Sequence, residues 1–237
     1  MFTNLLAPRR RFDGTITEMM DRPQLVSTEL EIDLENLEKL NQYFGSYALV
    51  RHFLRRWLRP GHSFTAIDLC TGLGDIPRFI VNWCRMNHVA VQITAVDFQR
   101  ATLELAMERS KTYPEIAFLE SDVFRFVPIS PADFVFCSLA LHHFADDAAI
   151  GLLRRARVMA RRRVLVADLE RTDFGIAGIY LLTACVFRES MTRFDARLSI
   201  RRAFSFREMR QLASAAGWKQ FGHRRFPVCR QAIWLES

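Results

Sequence analysis

The sequence predicts an α/β fold whose mostly parallel sheet is covered by helices. Short apolar strand patterns alternate with helical patterns through the middle of the 237-residue chain. A glycine loop follows the first of these strands in the stretch AIDLCTGLGDIPRF, residues 66–79. Near the C-terminus, two strand patterns lie so close together that they can pair only antiparallel. The alternating part implies a parallel sheet with both faces buried.

The elements follow in an order that suits this fold. Helical periodicity begins at residue 33, and a second helix is predicted over 47–58, so residues 1–60 are expected to form an N-terminal helical cap. Residues 61–237 are expected to form the main domain. Its predicted strands are 64–69, 91–97, 116–120, 133–139 and 164–169, and the helices between them are 75–86, 101–110 and 146–159.

The last part of the chain departs from the alternating pattern. An apolar segment, 175–187, precedes a helix that is predicted to end at Gly217. Strands at 218–224 and 228–235, joined by a short Arg-Phe-Pro link, are expected to form the terminal antiparallel hairpin. A sheet finished in this way differs from that of the dehydrogenases.

Composition argues against several classes of protein. The net charge is +7, but the basic runs are short and scattered, so no nucleic-acid surface is expected. The five cysteines form no C-x-x-C pair, which argues for a reducing compartment and against a disulfide framework or a zinc site, and we expect no metal. The longest apolar run is too short for a membrane span and no secretion signal is visible, so a cytoplasmic location is expected.

The glycine loop does not have the full dinucleotide fingerprint. Gly72 and Gly74 form G-x-G, but Pro77 stands where a third small residue is needed, and no G-K-[ST] follows. Asp68 ends the strand before the loop, and its carboxylate suits a positively charged ligand better than a pyrophosphate. The loop therefore predicts a nucleoside ligand of another kind.

Acidic residues also end the next two strands. Asp97 can accept hydrogen bonds from two ribose hydroxyls, as in several classes of nucleotide-binding enzyme. Asp122 can accept from an exocyclic amine, while Val123 packs on an adenine ring. Because ligands of open α/β sheets bind at the carboxyl ends of the strands, these residues are expected to line one site.

These motifs together resemble class I S-adenosylmethionine-dependent methyltransferases over about residues 60–237. The matching stretches are DLCTGLGD (68–75), AVDF (95–98), SDVF (121–124), DFVFCSLALHHF (133–144) and AGW (216–218). The resemblance implies a Rossmann-like seven-stranded sheet with one reversed strand and S-adenosylmethionine as the cofactor. The cofactor-binding positions that it implies are Asp68, Cys70, Thr71, Gly72, Gly74, Asp97, Phe98, Asp122, Val123, Ser138 and Leu139.

The N-terminal part narrows the resemblance. EMMDRP (18–23), DLENLEKLNQYFG (33–45) and DIPRF (75–79) are similar to small-molecule methyltransferases found alongside bacterial type III polyketide synthases. This similarity implies a small phenolic or polyketide substrate of secondary metabolism. A substrate-pocket insertion at about 173–203 would then use the apolar segment, with helix 34–58 as a lid. Core packing and a homodimer contact remain alternatives for that segment.

Two adjacent histidines provide the candidate catalytic groups. A phenol has a pKa of about 10, so a base is useful near neutral pH, and histidine suits that role. His142 matches the general base in the L-H-D-W-x-D stretch of aromatic O-methyltransferases, although His143 and Phe144 replace the aspartate and the tryptophan. His142 is therefore the candidate base, and His143 is the second candidate.

Three alternatives to O-methylation of a small aromatic remain. One is C-methylation of a quinone precursor or a polyketide carbon, and another is a cofactor-binding protein with a non-catalytic role. The third, an NAD oxidoreductase, is disfavoured by Pro77 and the terminal hairpin. Methylation of a macromolecule is disfavoured because C-S-L-A at 137–140 replaces the N-P-P-Y type of motif.

Overall fold

The computed structural model describes residues 8–236, so the part of the predicted cap at 1–7 lies outside the described residues. One seven-stranded sheet has the order β3-β2-β1-β4-β5-β7-β6. This sheet confirms the predicted fold class. The strands are β1 (Ser63–Leu69), β2 (Ala90–Asp97), β3 (Ile116–Glu120), β4 (Ala132–Ser138), β5 (Ala160–Leu169), β6 (Gly222–Phe226) and β7 (Arg230–Glu236).

The reversed strand is β7, which pairs antiparallel with β5 on one side and β6 on the other. The predicted hairpin is therefore confirmed, but its turn was placed wrongly. Arg225 and Phe226 belong to β6, and the turn is formed by 227–229. The first strand of the hairpin starts at Gly222 rather than at residue 218.

Gly222 lies directly beneath the indole ring of Trp234, its partner in the hairpin. A Cβ atom at Gly222 would lie 2.0 Å from two ring carbons, far inside van der Waals contact. The other neighbours of the indole include Phe53, with ring centroids 4.9 Å apart. The absence of a side chain at Gly222 thus lets the terminal hairpin pack on the rest of the fold.

Helices cover both faces of the sheet. Their bounds are α1 (Thr28–Tyr43), α2 (Ser46–Trp57), α3 (Asp75–Met86), α4 (Arg100–Arg109), α5 (Asp146–Met159), α6 (Asp173–Cys185), α7 (Ser190–Arg202) and α8 (Phe206–Ala215). Helix α1 starts five residues before the predicted periodicity, capped by the Ser27 side chain, which accepts a hydrogen bond from the Leu30 N–H. Helix α7 was not anticipated from the sequence.

Two apolar layers hold the helices on the sheet. On one face, Phe53 of α2 and Ile80 of α3 pack with Phe134 of β4. On the other, Leu152 of α5 and Met209 of α8 pack against the opposite side of β4 and β5. The direction of the chain connections reverses between β1 and β4, which is where open α/β sheets bind ligands.

Helix α1 lies outside these layers, where Leu30 and Leu34 pack in a smaller apolar cluster with Leu105 of α4 and Met191 of α7, and ion pairs add to this packing. Arg109 of α4 contacts Glu31 at 3.0 Å and Glu35 at 2.6 Å, and Arg78 of α3 contacts Glu38 at 3.0 Å. Partly exposed pairs of this kind contribute little individually, so they hold α1 with modest strength. In the part of the chain that is described, no helix is long and apolar enough to cross a membrane.

Candidate cofactor and acceptor site

A cavity of about 680 Å³ opens at the carboxyl ends of β1, β2 and β4. Its walls come from the glycine loop, α1, α6, α7 and the segment 17–23. The cavity brings together the predicted cofactor positions and both histidines, with Gly74 outside it. The positions that line it are Asp68, Cys70, Thr71, Gly72, Asp97, Phe98, Asp122, Val123, Ser138, Leu139, His142 and His143.

Asp68, in β1 just before the glycine loop, has one carboxylate oxygen with no hydrogen-bond partner among the described residues. Its Oδ2 accepts a hydrogen bond from Thr71 Oγ1 at 2.7 Å, whereas Oδ1 is buried and has no partner among the described residues. Burial raises the pKa of Asp68 to about 7, and the nearby Asp75 and Asp97 charges add to the shift, against the Thr71 hydrogen bond. A buried, unsatisfied carboxylate is costly, so a cationic group bound here would be stabilised.

Asp97 shapes the glycine loop. Its Oδ2 accepts from the Gly72 N–H at 2.8 Å, and its Oδ1 accepts from the Gln99 N–H at 2.9 Å. A Cβ atom at Gly72 would meet nothing within 4 Å, so the backbone there borders open cavity. Asp97 therefore holds the loop in the conformation that lets a ligand approach Gly72.

The remaining cofactor positions form the far wall. Asp122 is about half exposed, and its Oδ1 accepts from the Phe124 N–H at 2.8 Å. Val123 is buried, while Phe98 is largely exposed at the cavity edge. Gly74 has a different reason to be glycine: with φ of +72°, its Cβ would lie 2.9 Å from the Phe118 ring. Gly74 thus serves the packing of the loop against β3.

Two residues of the site hold a backbone conformation that favours glycine. Cys70 has φ of +57° and Leu139 has φ of +55°, where a side chain costs about 1–2 kcal/mol. The neighbouring Cys137 thiol and burial raise the pKa of the Cys70 thiol well above its usual value. The thiol is therefore neutral, and the backbone strain at Cys70 and Leu139 was not anticipated from the sequence.

Exchanging Cys70 should reveal this strain. We expect Cys70→Gly to be more stable than Cys70→Ala by about 1 kcal/mol, because only alanine carries a Cβ into the left-handed region. In an ordinary helix the order is reversed, with alanine more stable than glycine. Chemical denaturation of the two variants measures the difference. A more stable Cys70→Ala variant would contradict the left-handed geometry.

The raised pKa of Asp68 predicts pH-dependent cofactor binding. As the pH rises through about 7, the carboxylate ionises, so affinity for a cationic cofactor should rise. We expect about a tenfold gain between about pH 6 and 8, since one ionisation controls it. The folded pKa exceeds the unfolded one, so the free energy of unfolding of the cofactor-free chain should fall as the pH rises from about 4 to about 7 and level off above that. Titration calorimetry checks this, with Asp68→Asn expected to flatten the profile.

His142 is held in one orientation by Asp168 at the end of β5. Its Nδ1 lies 2.6 Å from Asp168 Oδ1, and its backbone N–H donates to Asp168 Oδ2 at 2.9 Å. Although burial acts to raise the pKa of Asp168, the His142 charge and hydrogen bond lower it below the usual value. The ionised carboxylate can only accept, so the neutral imidazole carries its proton on Nδ1 and has its lone pair on Nε2.

His143 sits beside it with a second acidic partner. Its Nδ1 lies 2.7 Å from Asp21 Oδ2, and Glu18 faces both rings: Oε1 lies 3.8 Å from His142 Nε2 and Oε2 lies 3.7 Å from His143 Nε2. Burial acts to lower the pKa of His143, but the charges of Glu18 and Asp21 outweigh it and raise the pKa to about 10.

Sequence reasoning missed the acidic side of this cluster. Glu18 and Asp21 lie in the irregular N-terminal segment, and no role was predicted for them beyond a family similarity. Asp168 does end a predicted strand, so the rule that selected Asp97 could have found it. Asp195 of α7, whose carboxylate accepts from the Met19 N–H at 2.7 Å, has its pKa raised to about 8 by burial and by Glu18.

The remainder of the cavity is apolar. Leu40 and Phe44, at the end of α1, face Ile179 and Leu182 of α6 across it. Not every apolar residue of the segment 175–187 contributes, since Leu181 is mostly exposed. The cavity therefore has three parts. The predicted cofactor positions form its polar nucleoside end, Glu18, His142 and His143 form the histidine–carboxylate cluster, and the residues between α1 and α6 form the apolar chamber.

Comparison with known proteins agrees with this arrangement. Residues 66–174 match the family described as "Methyltransferase domain". A 2-phytyl-1,4-naphtoquinone methyltransferase from Thermosynechococcus vestitus is 33% identical over 91 residues, which cover 38% of this chain and 39% of that protein. Human N-acetylserotonin methyltransferase in complex with SAM superposes with a TM-score of 0.63 at 18% identity, covering 88% of this chain and 56% of the human one. Magnesium protoporphyrin IX methyltransferase from Synechocystis PCC 6803 superposes with a TM-score of 0.56 at 13% identity, covering 91% and 90% of the two chains.

Residues 66–174 therefore match a methyltransferase domain, and the sheet as a whole has the fold of the class of S-adenosylmethionine-dependent methyltransferases. The cavity fits the cofactor of this class: Asp68 Oδ1 and Ser138 Oγ are buried without a partner in the described chain, and Gly72 borders open space. The chain spans 39% of the length of the Thermosynechococcus protein and 56% of the human one.

Proposed function

We propose that this chain transfers the methyl group of S-adenosylmethionine to a hydroxyl of a small, partly apolar aromatic or polyketide-type molecule. The observation that supports it best is the position of His142, on the cavity wall that also carries the cofactor positions. When bound, S-adenosylmethionine supplies a methyl group attached to a positively charged sulfur. The chain's own residues have to orient the acceptor and deal with its proton.

The dyad of His142 and Asp168 suits the removal of that proton. The lone pair on His142 Nε2 accepts the hydroxyl proton, and Asp168 stabilises the resulting imidazolium. The acceptor oxygen forms the new O–C bond, while the electrons of the broken S–C bond remain on sulfur. A phenol, with a pKa of about 10, gains most from such a base at neutral pH.

The apolar chamber between α1 and α6 supports an acceptor with an aromatic or alkyl body. We include in the proposal the division into a cap (1–60) and a methyltransferase domain (61–237), in which α1 covers the cavity and α2 packs on the sheet. The similarity of EMMDRP to enzymes found with type III polyketide synthases favours a resorcinol-like acceptor. A homodimer contact through α6, which exposes Phe174, stays a prediction.

A second candidate is C-methylation of a quinone precursor. It is favoured by the likeness to the naphtoquinone methyltransferase, which covers 38% of this chain. A reduced quinone also carries acidic hydroxyls, so the same base would assist attack by a ring carbon. The cofactor-binding, non-catalytic alternative needs the same glycine loop and acidic residues, so only the His142–Asp168 pair, which such a protein would not require, favours the enzyme over it.

One experiment separates these candidates. The chain is incubated with S-adenosylmethionine labelled in its methyl group and with an alkylresorcinol, its di-O-methyl ether or a reduced naphthoquinone. We expect the label in an O-methyl group of the resorcinol and none in the blocked ether, with the position assigned by NMR. Label on a ring carbon would favour the second candidate. Cofactor binding without transfer to any acceptor would overturn the enzymatic proposal.

A further inference from the structure

The histidine–carboxylate cluster has an unusual balance of charge. Glu18 is only 2% exposed, and no lysine or arginine of residues 8–236 lies within ion-pairing distance of it. Its closest cationic partners are the two Nε2 atoms of His142 and His143. The charge of this buried carboxylate is therefore balanced only through the two histidine rings, and a cation bound between the three side chains would balance it as well.

The three side chains present one ligand atom each to a common point. One oxygen of Glu18 and the ring nitrogens of His142 and His143 all lie within 4.8 Å of one another. In a tetrahedral zinc site, ligand atoms are separated by about 3.3 Å, because each bond is about 2.0–2.1 Å long. The distances from His142 Nε2 to Glu18 Oε1, 3.8 Å, and from His143 Nε2 to Glu18 Oε2, 3.7 Å, are somewhat longer than that separation and use the two different oxygens of the carboxylate.

The surrounding hydrogen bonds are an independent indication. Metal-binding histidines almost always donate their other ring N–H to a carboxylate or carbonyl, and metal-binding carboxylates are themselves hydrogen bonded. Here His142 Nδ1 is paired with Asp168 at 2.6 Å and His143 Nδ1 with Asp21 at 2.7 Å. Glu18 Oε1 accepts from Ser199 Oγ at 2.7 Å. Hydrogen bonds from neighbouring residues therefore already fix the orientation of all three side chains.

We propose that Glu18, His142 and His143 bind a divalent transition-metal ion on the wall of the cavity. Two imidazole nitrogens and one carboxylate suit zinc, iron(II) or cobalt(II), and they leave coordination positions open to the cavity. This departs from the expectation of no metal, which rested on cysteine spacing alone. Binding displaces the proton that His143 otherwise carries on Nε2, and that proton leaves to solvent.

The use of this metal rests on the proposed function, although its binding does not. An open position would take the acceptor oxygen of the substrate, and coordination would lower the pKa of that hydroxyl. His142 Nε2 would then be a ligand rather than the proton acceptor. His142 is required whether it acts as the base or as a metal ligand, so the loss of turnover in a His142 variant does not distinguish the two roles. A measurement of metal binding does distinguish them.

The test uses the full-length chain after treatment with a chelator. Cobalt(II) is added at fixed pH, and its visible absorption bands are followed, with zinc as the competitor. We expect about one equivalent of cobalt(II) to bind and to be displaced by zinc, as for a site of two histidines and a carboxylate. Glu18→Gln should weaken binding by about 100-fold or more, and Asp21→Asn by about 10–100-fold.

Matched variants keep the test independent of folding and of activity. His62, on the surface, provides the control, since His62→Gln should bind cobalt(II) as the parent chain does. His143→Gln, which removes a partly exposed ligand, replaces Glu18→Gln if that variant fails to fold. Equal affinity in the parent chain and in folded Glu18→Gln or His143→Gln would overturn the proposal, as would no binding at all. Neither result bears on methyl transfer, which the labelling experiment measures separately.

Discussion

Replacing His142 with glutamine will slow methyl transfer by about 100-fold or more while leaving affinity for S-adenosylmethionine unchanged. Glutamine keeps a similar length and polarity but cannot accept and hold the acceptor's proton. The His142 ring pairs with Asp168 and Glu18, and neither of these is a predicted cofactor position, so we expect the cofactor end of the cavity to stay as it is. Turnover at saturating substrate measures the rate of methyl transfer, and calorimetry with S-adenosylhomocysteine measures the affinity of the cofactor site.

Two further variants sharpen this result. His62→Gln, on the surface, should retain full turnover. Asp168→Asn should also lose turnover, because its amide cannot accept from the His142 ring, the His142 N–H and the Leu169 N–H together. Near-normal turnover in His142→Gln would remove the histidine from the mechanism, and loss of cofactor affinity would show that its role is structural.

Replacing Gly222 with alanine will destabilise the fold by about 3 kcal/mol or more, the upper range for inserting an atom into a packed site. The new Cβ would lie 2.0 Å from the Trp234 ring. The indole cannot simply move aside, because Phe53 and the guanidinium of Arg56 occupy its other contacts. Chemical denaturation, followed by tryptophan fluorescence, gives the change in the free energy of unfolding.

Gly178 of α6 is the matched control for this substitution. A Cβ there meets nothing within 4 Å, and its backbone is helical. Gly178→Ala should therefore stabilise the chain by about 0.5–1 kcal/mol, the gain of alanine over glycine inside a helix. Equal effects of the two substitutions would contradict the close packing of Trp234 over Gly222.

The parts of the fold that could be predicted are those in which one pattern dominates. The apolar strands and the acidic residues at their ends predicted the sheet and placed Asp97 at the cavity. Helix α7 was not predicted because its buried face is largely polar. Thr192, Asp195 and Ser199 occupy positions where a buried helix usually has apolar residues. Hydrophobic spacing detects a helix only when the surface it covers is apolar.

The site could be predicted only where its chemistry is local in sequence. The glycine loop and the two histidines are short stretches that single-sequence reasoning could select, and they line the same cavity in the structure. Glu18 and Ser199 lie 181 residues apart, yet their side chains are 2.7 Å from each other. A contact of that kind is set by the packing of α7 against the N-terminal segment, and no spacing rule in a single sequence reports it.

The histidine–carboxylate cluster combines side chains of the matched domain with side chains from both of its flanks. Residues 66–174 include the glycine loop, both histidines and Asp168, whereas Glu18, Asp21 and Ser199 lie outside that interval. A relative that shares only this interval would inherit the nucleoside end of the cavity without the acidic side of the cluster. Comparisons across such relatives should therefore group enzymes by acceptor only when the sequence around residue 18 and the helix around residue 199 are aligned as well.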